Sequence, residues 1–298
     1  MDSDDFRPRG VYAACITAFR DDESLYLDRL GRHIDWMLDA GVNGVMVIGG
    51  CGEYANLTPE ERNTLVTAAV EIVGGRVPVV VGALAPSTRE VLEIGVHAAS
   101  AGADALLVLP PYYIKPSFDG VLQHFEAAAK ETNLDLIVYN NPGRTGWPLS
   151  ADHLVQLADI PGVVAVKECD RDMAVIQTKM AKLGSRTAML SGDDDLGFYT
   201  ILAGADGAIW ASVNLCPKLC VDLYNACVAQ DIPTALAIHR RILEVFNAWM
   251  LPNHPGPLKQ AMAQVGRSVG PARRPLALMS EAELGRLTAA LDANGPID

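Results

Sequence analysis

The sequence is poor in the residues that would make it a metalloprotein, a secreted disulfide scaffold or a nucleic-acid binder. Its six cysteines show no dense spacing, which excludes a disulfide framework of the secreted kind. Cys216 and Cys220 lie four apart, but no second pair or nearby histidine completes a zinc set. The histidines at 33, 97, 124, 153, 239 and 254 form no His-x-x-x-His pair, so no protein-bound metal is expected. Positive charge is also scarce. Lys and Arg number 24 against 36 Asp and Glu, a formal net charge of -12 and a pI near 4.9. That balance argues against nucleic acid or an anionic membrane as a partner, because both need clustered cations. An anionic substrate therefore needs a local positive site. Residues 1–9 carry Asp2, Asp4 and Asp5 and no apolar core, which predicts a loose terminus on a cytoplasmic protein rather than a signal peptide or membrane anchor. Finally, no Gly-x-Gly-x-x-Gly turn follows the first apolar run, where Cys15-Ile-Thr-Ala-Phe19 stands instead. This counts against a doubly wound, dinucleotide-binding sheet.

Half of the 298 residues are hydrophobic and 20% are charged, enough to bury one large core or two smaller ones. Apolar, β-branched runs begin near 11, 44, 77, 105, 134, 163, 187 and 207, and helical spacing fills the intervals. One junction recurs at Ala40-Gly-Val-Asn-Gly-Val-Met-Val47, Ala101-Gly-Ala-Asp-Ala-Leu-Leu-Val108 and Ala203-Gly-Ala-Asp-Gly-Ala-Ile-Trp210. Each reads as a helix ended by glycine, a polar turn and a buried strand. Repeats of roughly 20 to 33 residues are the size of βα units that close into a barrel. The expected class is therefore α/β, a (β/α)8 TIM barrel over residues 1–225 with a C-terminal helical extension over 226–298. Thr58-Pro-Glu-Glu61, Ser87-x-x-Glu90 and Ser280-x-x-Glu283 mark helix starts as capping boxes.

The run Val163-Val-Ala-Val-Lys-Glu-Cys169 is a buried strand with an amine at its exit. Lys167 could simply extend into water; alternatively it is a desolvated amine able to condense with a carbonyl as a Schiff base. The other strand ends decide in favour of chemistry. In a barrel they share one mouth, and they read Gly49-Gly-Cys-Gly-Glu53, Pro110-Pro-Tyr-Tyr113, Tyr139-Asn-Asn-Pro-Gly-Arg144 and Gly192-Asp-Asp-Asp195. A lysine facing that mouth stands among proton carriers.

These motifs, in this order, resemble the dihydrodipicolinate synthase and N-acetylneuraminate lyase family of Schiff-base-forming aldolases. The resemblance covers nearly the whole chain. It implies that Lys167 attacks the keto carbon of pyruvate or a related 2-oxo acid, and that Tyr139 passes protons at the amine. It implies that Gly50, Cys51 and Gly52 hold the 2-oxo acid carboxylate through backbone amides, and that Ile209 touches it through its carbonyl. Arg144 would receive the carboxylate of a second substrate, and Tyr113 would cross into a neighbouring subunit's site, in a homodimer or homotetramer. No organic cofactor is implied. The second substrate is an aldehyde, aspartate semialdehyde in the synthases, or else the substrate is a 2-oxo-3-deoxy sugar acid that is cleaved or dehydrated. A non-catalytic 2-oxo acid binder is the reading from another class. Gly50 and Cys51 depart from the hydroxyl residues usual in that loop, and the loss at 50 removes a member of the tyrosine-centred relay. Selection of the second substrate is expected around Arg144, Trp147 and Trp210.

Overall fold

Short runs of alanine and β-branched residues, covered on both faces, form the centre of the molecule. The strands are β1 (Gly10–Ala14), β2 (Gly44–Val47), β3 (Val79–Ala83), β4 (Ala105–Val108), β5 (Asp135–Asn140), β6 (Val163–Glu168), β7 (Ala188–Ser191) and β8 (Gly207–Trp210). In the computed structural model, which describes residues 6–295 and 297, they pair in parallel and in sequence order, and β8 closes onto β1. The expected (β/α)8 barrel is thus present. Every residue of six strands is buried; only β5 and β6 contain half-buried positions. Residues 1–5 of the expected loose terminus lie outside the described residues.

The helices outside the barrel are α1 (Leu27–Asp39), α2 (Pro59–Val73), α3 (Thr88–Ala101), α4 (Phe118–Thr132), the single turn α5 (Pro142–Thr145), α6 (Ala151–Ala158), α7 (Met173–Leu183), α8 (Gly197–Leu202) and α9 (Pro217–Val228). The boxes at Thr58 and Ser280 form in full. At Ser87 only half forms, because Glu90 is drawn away to Arg62 at 2.7 Å and the Tyr54 hydroxyl at 3.0 Å.

The recurring junction has a physical purpose. Gly41, Gly102 and Gly204 take the left-handed φ of +90°, +89° and +108° that ends each helix. The polar residue two positions on then accepts a hydrogen bond from the first amides of a neighbouring strand. Asn43 Oδ1 takes Val11 N at 2.8 Å, Asp104 Oδ2 takes Val79 N at 2.7 Å, and Asp206 Oδ2 takes Met189 N at 3.0 Å. These contacts tie together the amino-terminal face, the end that serves stability.

The extension consists of α10 (Ile232–Trp249), α11 (Gly256–Gln264) and α12 (Glu281–Asn294). Position 225 falls inside α9, the helix that follows β8. No helix among the described residues is long and apolar enough to cross a membrane.

At the exit of β2, Ile48 adopts a left-handed φ of 47°, a strained choice for a β-branched residue. Its carbonyl presses on β3, where a Cβ at Gly82 would sit 2.7 Å from Ile48 O. Glycine is required there by close approach. Gly82→Ala is expected to destabilise the fold by about 1–3 kcal/mol. Gly31→Ala inside α1, whose Cβ would make ordinary contact at 3.7 Å with Ile72 Cδ1 of α2, should stabilise it by about 0.5–1 kcal/mol. Urea unfolding midpoints check both.

Candidate active site

Side chains on a strand alternate between faces, so register decides what Lys167 meets. Leu136 pairs with Val163 but Ile137 pairs with Ala165, leaving Val164 as an extra residue in β6. This bulge brings Tyr139 opposite Lys167. Lys167 is 5% exposed, and its Nζ lies 4.5 Å from the centre of the Tyr139 ring. The next residue, Glu168, pairs outward with Lys179 of α7, whose Nζ is 3.1 Å from Oε2. Glu168 Oε1 accepts from Asn140 Nδ2 at 2.6 Å and from the Asp170 amide at 2.7 Å. Strand β6 is therefore anchored directly behind Lys167.

The cavity at the carboxyl ends of the strands measures about 980 Å³. Lys167, Tyr139, Gly50, Cys51, Arg144 and Ile209 all line it. Burial, and secondarily the neighbouring Cys169, pushes the Tyr139 phenol well above its ordinary range, so it keeps its proton at neutral pH. The Tyr139 oxygen accepts from Asn141 Nδ2 at 2.9 Å, which leaves its own hydrogen to donate elsewhere.

Beyond Ile48 the Gly-rich loop folds back on itself, with Glu53 N donating to Gly50 O at 3.2 Å and Tyr54 N to Gly49 O at 3.1 Å. A Cβ on Gly50 would meet nothing within 4 Å, so the departure from a hydroxyl residue leaves open space. Gly52 is not on the cavity wall: it is buried, and its carbonyl accepts from Thr17 Oγ1 at 2.7 Å. Cys51 is on the wall. Its Sγ lies 3.4 Å from Nε2 of His254, a residue of the segment between α10 and α11. Burial raises the Cys51 thiol to about 12 and lowers His254 to about 4, so a protonated thiol faces a neutral imidazole at pH 7.

Asp193, Asp194 and Asp195 form the wall after β7. Asp194 is structural, accepting from Ser212 N at 2.6 Å and Ala211 N at 3.3 Å. Arg171 pairs with Asp195 and stands 3.8 Å from Asp193 Oδ1. Asp193 Oδ2 is buried with no hydrogen-bond partner among the described residues. Burial raises its carboxyl to about 6, against the opposing pull of Arg171.

The profile of the dihydrodipicolinate synthetase family matches residues 7–294. This chain belongs to that family. It is 36% identical over 280 residues to the 4-hydroxy-tetrahydrodipicolinate synthase of Methanothrix thermoacetophila, covering 94% of each chain. It is also 36% identical to that of Phenylobacterium zucineum, over 97% of this chain and 98% of the relative. The fold superposes at a TM-score of 0.92 on the chloride-inhibited dihydrodipicolinate synthase of Acinetobacter baumannii complexed with pyruvate, with 32% identity and coverage of 96% and 98%. The family's members are lyases of the class I, Schiff-base aldolase type.

Besides Gly52, three expected positions stand apart from the cavity. Tyr113 is 88% exposed, next to Ile114 at 80%, and it is Tyr112 that lines the cavity of its own chain. Trp147 and Trp210, expected among the residues that select the second substrate, do not line the cavity. Trp210 packs where a Cβ on Gly197 would be 2.2 Å away and donates to Ser191 Oγ at 3.2 Å, while Trp147 packs edge-on to His153. Sequence reasoning missed His254 and Asn247, both on the cavity wall. His254 sits within the segment Leu251-Pro-Asn-His-Pro-Gly-Pro257, which reads from sequence as a joint alone.

Asp193 gives the cavity a pH dependence of definite sign. Its carboxyl is neutral below about 6 and negative above, so a small anionic 2-oxo acid should bind more tightly as pH falls from 7.5 to 5.5. Asp193→Asn should bind about two- to tenfold more tightly at pH 7.5 and lose most of that slope, as expected for removal of one unit charge from a partly solvated cavity. Calorimetric titration with pyruvate at the two pH values measures both.

Proposed function

We propose that the protein is a 4-hydroxy-tetrahydrodipicolinate synthase, condensing pyruvate with aspartate semialdehyde through a Schiff base on Lys167. The observation that carries this reading is the register that sets Lys167 opposite Tyr139 inside a barrel mouth. Lys167 Nζ adds to C2 of pyruvate, and the protonated Tyr139 phenol gives its hydrogen to the departing hydroxyl, which leaves as water. The iminium accepts the electron pair released when C3 gives a proton back to the Tyr139 phenolate. The resulting enamine carbon bonds to the aldehyde carbon while the Tyr139 phenol protonates the aldehyde oxygen, and the amino group of the former aspartate semialdehyde then adds to the regenerated iminium carbon and displaces the Lys167 amine.

Backbone amides at Gly50, Cys51 and Gly52 would hold the pyruvate carboxylate, Gly52 from within the turn, and the Ile209 carbonyl would contact the bound acid. Arg144, exposed on the cavity rim, is suited to the second carboxylate because a guanidinium offers a planar fork. The exposed Tyr113 and Ile114 support a homodimer, or a homotetramer of paired dimers, in which Tyr113 enters the partner's site. In this reading residues 1–225 form the catalytic barrel, 226–298 form an extension over its mouth, and the enzyme works in the cytoplasm.

One observation favours a second reading. Open space at Gly50, where a relay hydroxyl would stand, suits a bulkier 2-oxo-3-deoxy sugar acid undergoing cleavage or dehydration. Gly50→Ser has room for its side chain and separates the two: turnover with aspartate semialdehyde should rise about tenfold if a relay hydroxyl is what is missing. Under the sugar-acid reading the same variant should instead lose turnover.

The first test is intact mass after pyruvate and borohydride. A pyruvate-sized adduct is expected on the wild-type protein and is expected to be absent from Lys167→Ala. An adduct without turnover on any aldehyde or sugar acid would mark a 2-oxo acid binder.

A further inference from the structure

The Gly-rich loop is held from behind by the extension. Glu53, its last residue, has a left-handed φ of 57° and is 4% exposed. Its Oε1 lies 2.6 Å from Nζ of Lys259 on α11, and its Oε2 accepts from Asn56 Nδ2 at 3.1 Å and Arg273 N at 2.9 Å. Lys259 is 2% exposed; it also donates to Pro271 O at 2.9 Å and faces the Phe19 ring at 4.4 Å. Arg273 in turn pairs with Glu61 of α2 and donates to Asn56 O at 2.7 Å. Because Glu53 N closes the turn on Gly50 O, a shift of Glu53 displaces Gly50 and Cys51 with it.

We infer that Lys259 is a positioning residue for the loop that receives the 2-oxo acid carboxylate, so that affinity for the acid is set from the C-terminal extension. This rests on the Schiff-base reading above. Removing one partner of a buried ion pair leaves the other uncompensated, and here that other is attached to the substrate loop. The charged groups facing Lys259 are Glu53 from the loop and Arg273 from the segment after α11. Burial lowers the Lys259 amine to about 8, with Arg273 adding to the effect and Glu53 opposing it. Below that pH the pair is intact. Above it Lys259 loses its charge, Glu53 Oε1 loses the cation that holds it, and the loop loosens.

The test is the pyruvate concentration giving half-maximal adduct with cyanoborohydride, read by mass from pH 6.5 to 9.5. In the wild-type protein it should climb by up to about tenfold per unit above pH 8. In Lys259→Met it should be about tenfold higher already at pH 7, with full adduct still reached at saturation and with the alkaline climb reduced. Lys259→Arg, which keeps its charge, should restore the neutral value and hold it above pH 8. A wild-type climb that persists unchanged in Lys259→Arg, or a Lys259→Met protein with wild-type half-saturation, overturns the inference alone. No adduct on the wild-type protein at any concentration overturns the Schiff-base reading and the inference with it. Should Lys259→Met fail to fold by circular dichroism, the wild-type and Lys259→Arg curves decide.

Discussion

The site depends on one extra residue. Val164 stands outside the ladder between β5 and β6; were it to pair with Ile137 in an unbroken ladder, Lys167 would fall opposite Asn140, and the period of two would turn it away from Tyr139 and toward the helices. Glu168, which now points outward to Lys179, would then occupy the inner face. The bulge thus places an amine beside a phenol and puts a carboxylate on the far side, where it anchors the strand without neutralising the amine. The half-buried positions of β5 and β6 mark the same place, in a barrel otherwise closed along every strand.

Electrostatics follows from that arrangement. The protein as a whole is strongly acidic, yet its cavity gathers Lys167, Arg144 and Arg171. Acidic groups nearby are mostly committed elsewhere: Asp194 to two backbone amides, Asp195 to Arg171, Glu53 to Lys259. Asp193 is the exception, and burial moves its titration toward neutrality. Neutral Tyr139 and His254 and the protonated Cys51 add hydrogen-bonding capacity without adding charge.

Much of the fold was legible because its signals are local. A helix-ending glycine, a polar turn and a buried run fall within eight residues, and the turn residues cap adjacent strands as short-range geometry demands. Lys167, Tyr139 and Arg144 could be named for the same reason, since each sits at a strand exit. What stayed hidden depends on contacts between distant segments. Glu53 and Lys259 are 206 positions apart, and Cys51 and His254 are 203 apart, so no spacing rule joins them. The two tryptophans misled because a large aromatic near a strand end packs as readily beneath the loops as in the cavity; Trp210 needs the glycine at 197 to do so.

The polar caps at Asn43, Asp104 and Asp206 link β1 to β2, β3 to β4, and β7 to β8 at the base of the barrel. Neighbouring strands β5 and β6 meet instead through the bulge. At that seam the longest ladder of the barrel, five paired residues, together with the Asn140–Glu168 hydrogen bond, keeps the amine and the phenol side by side.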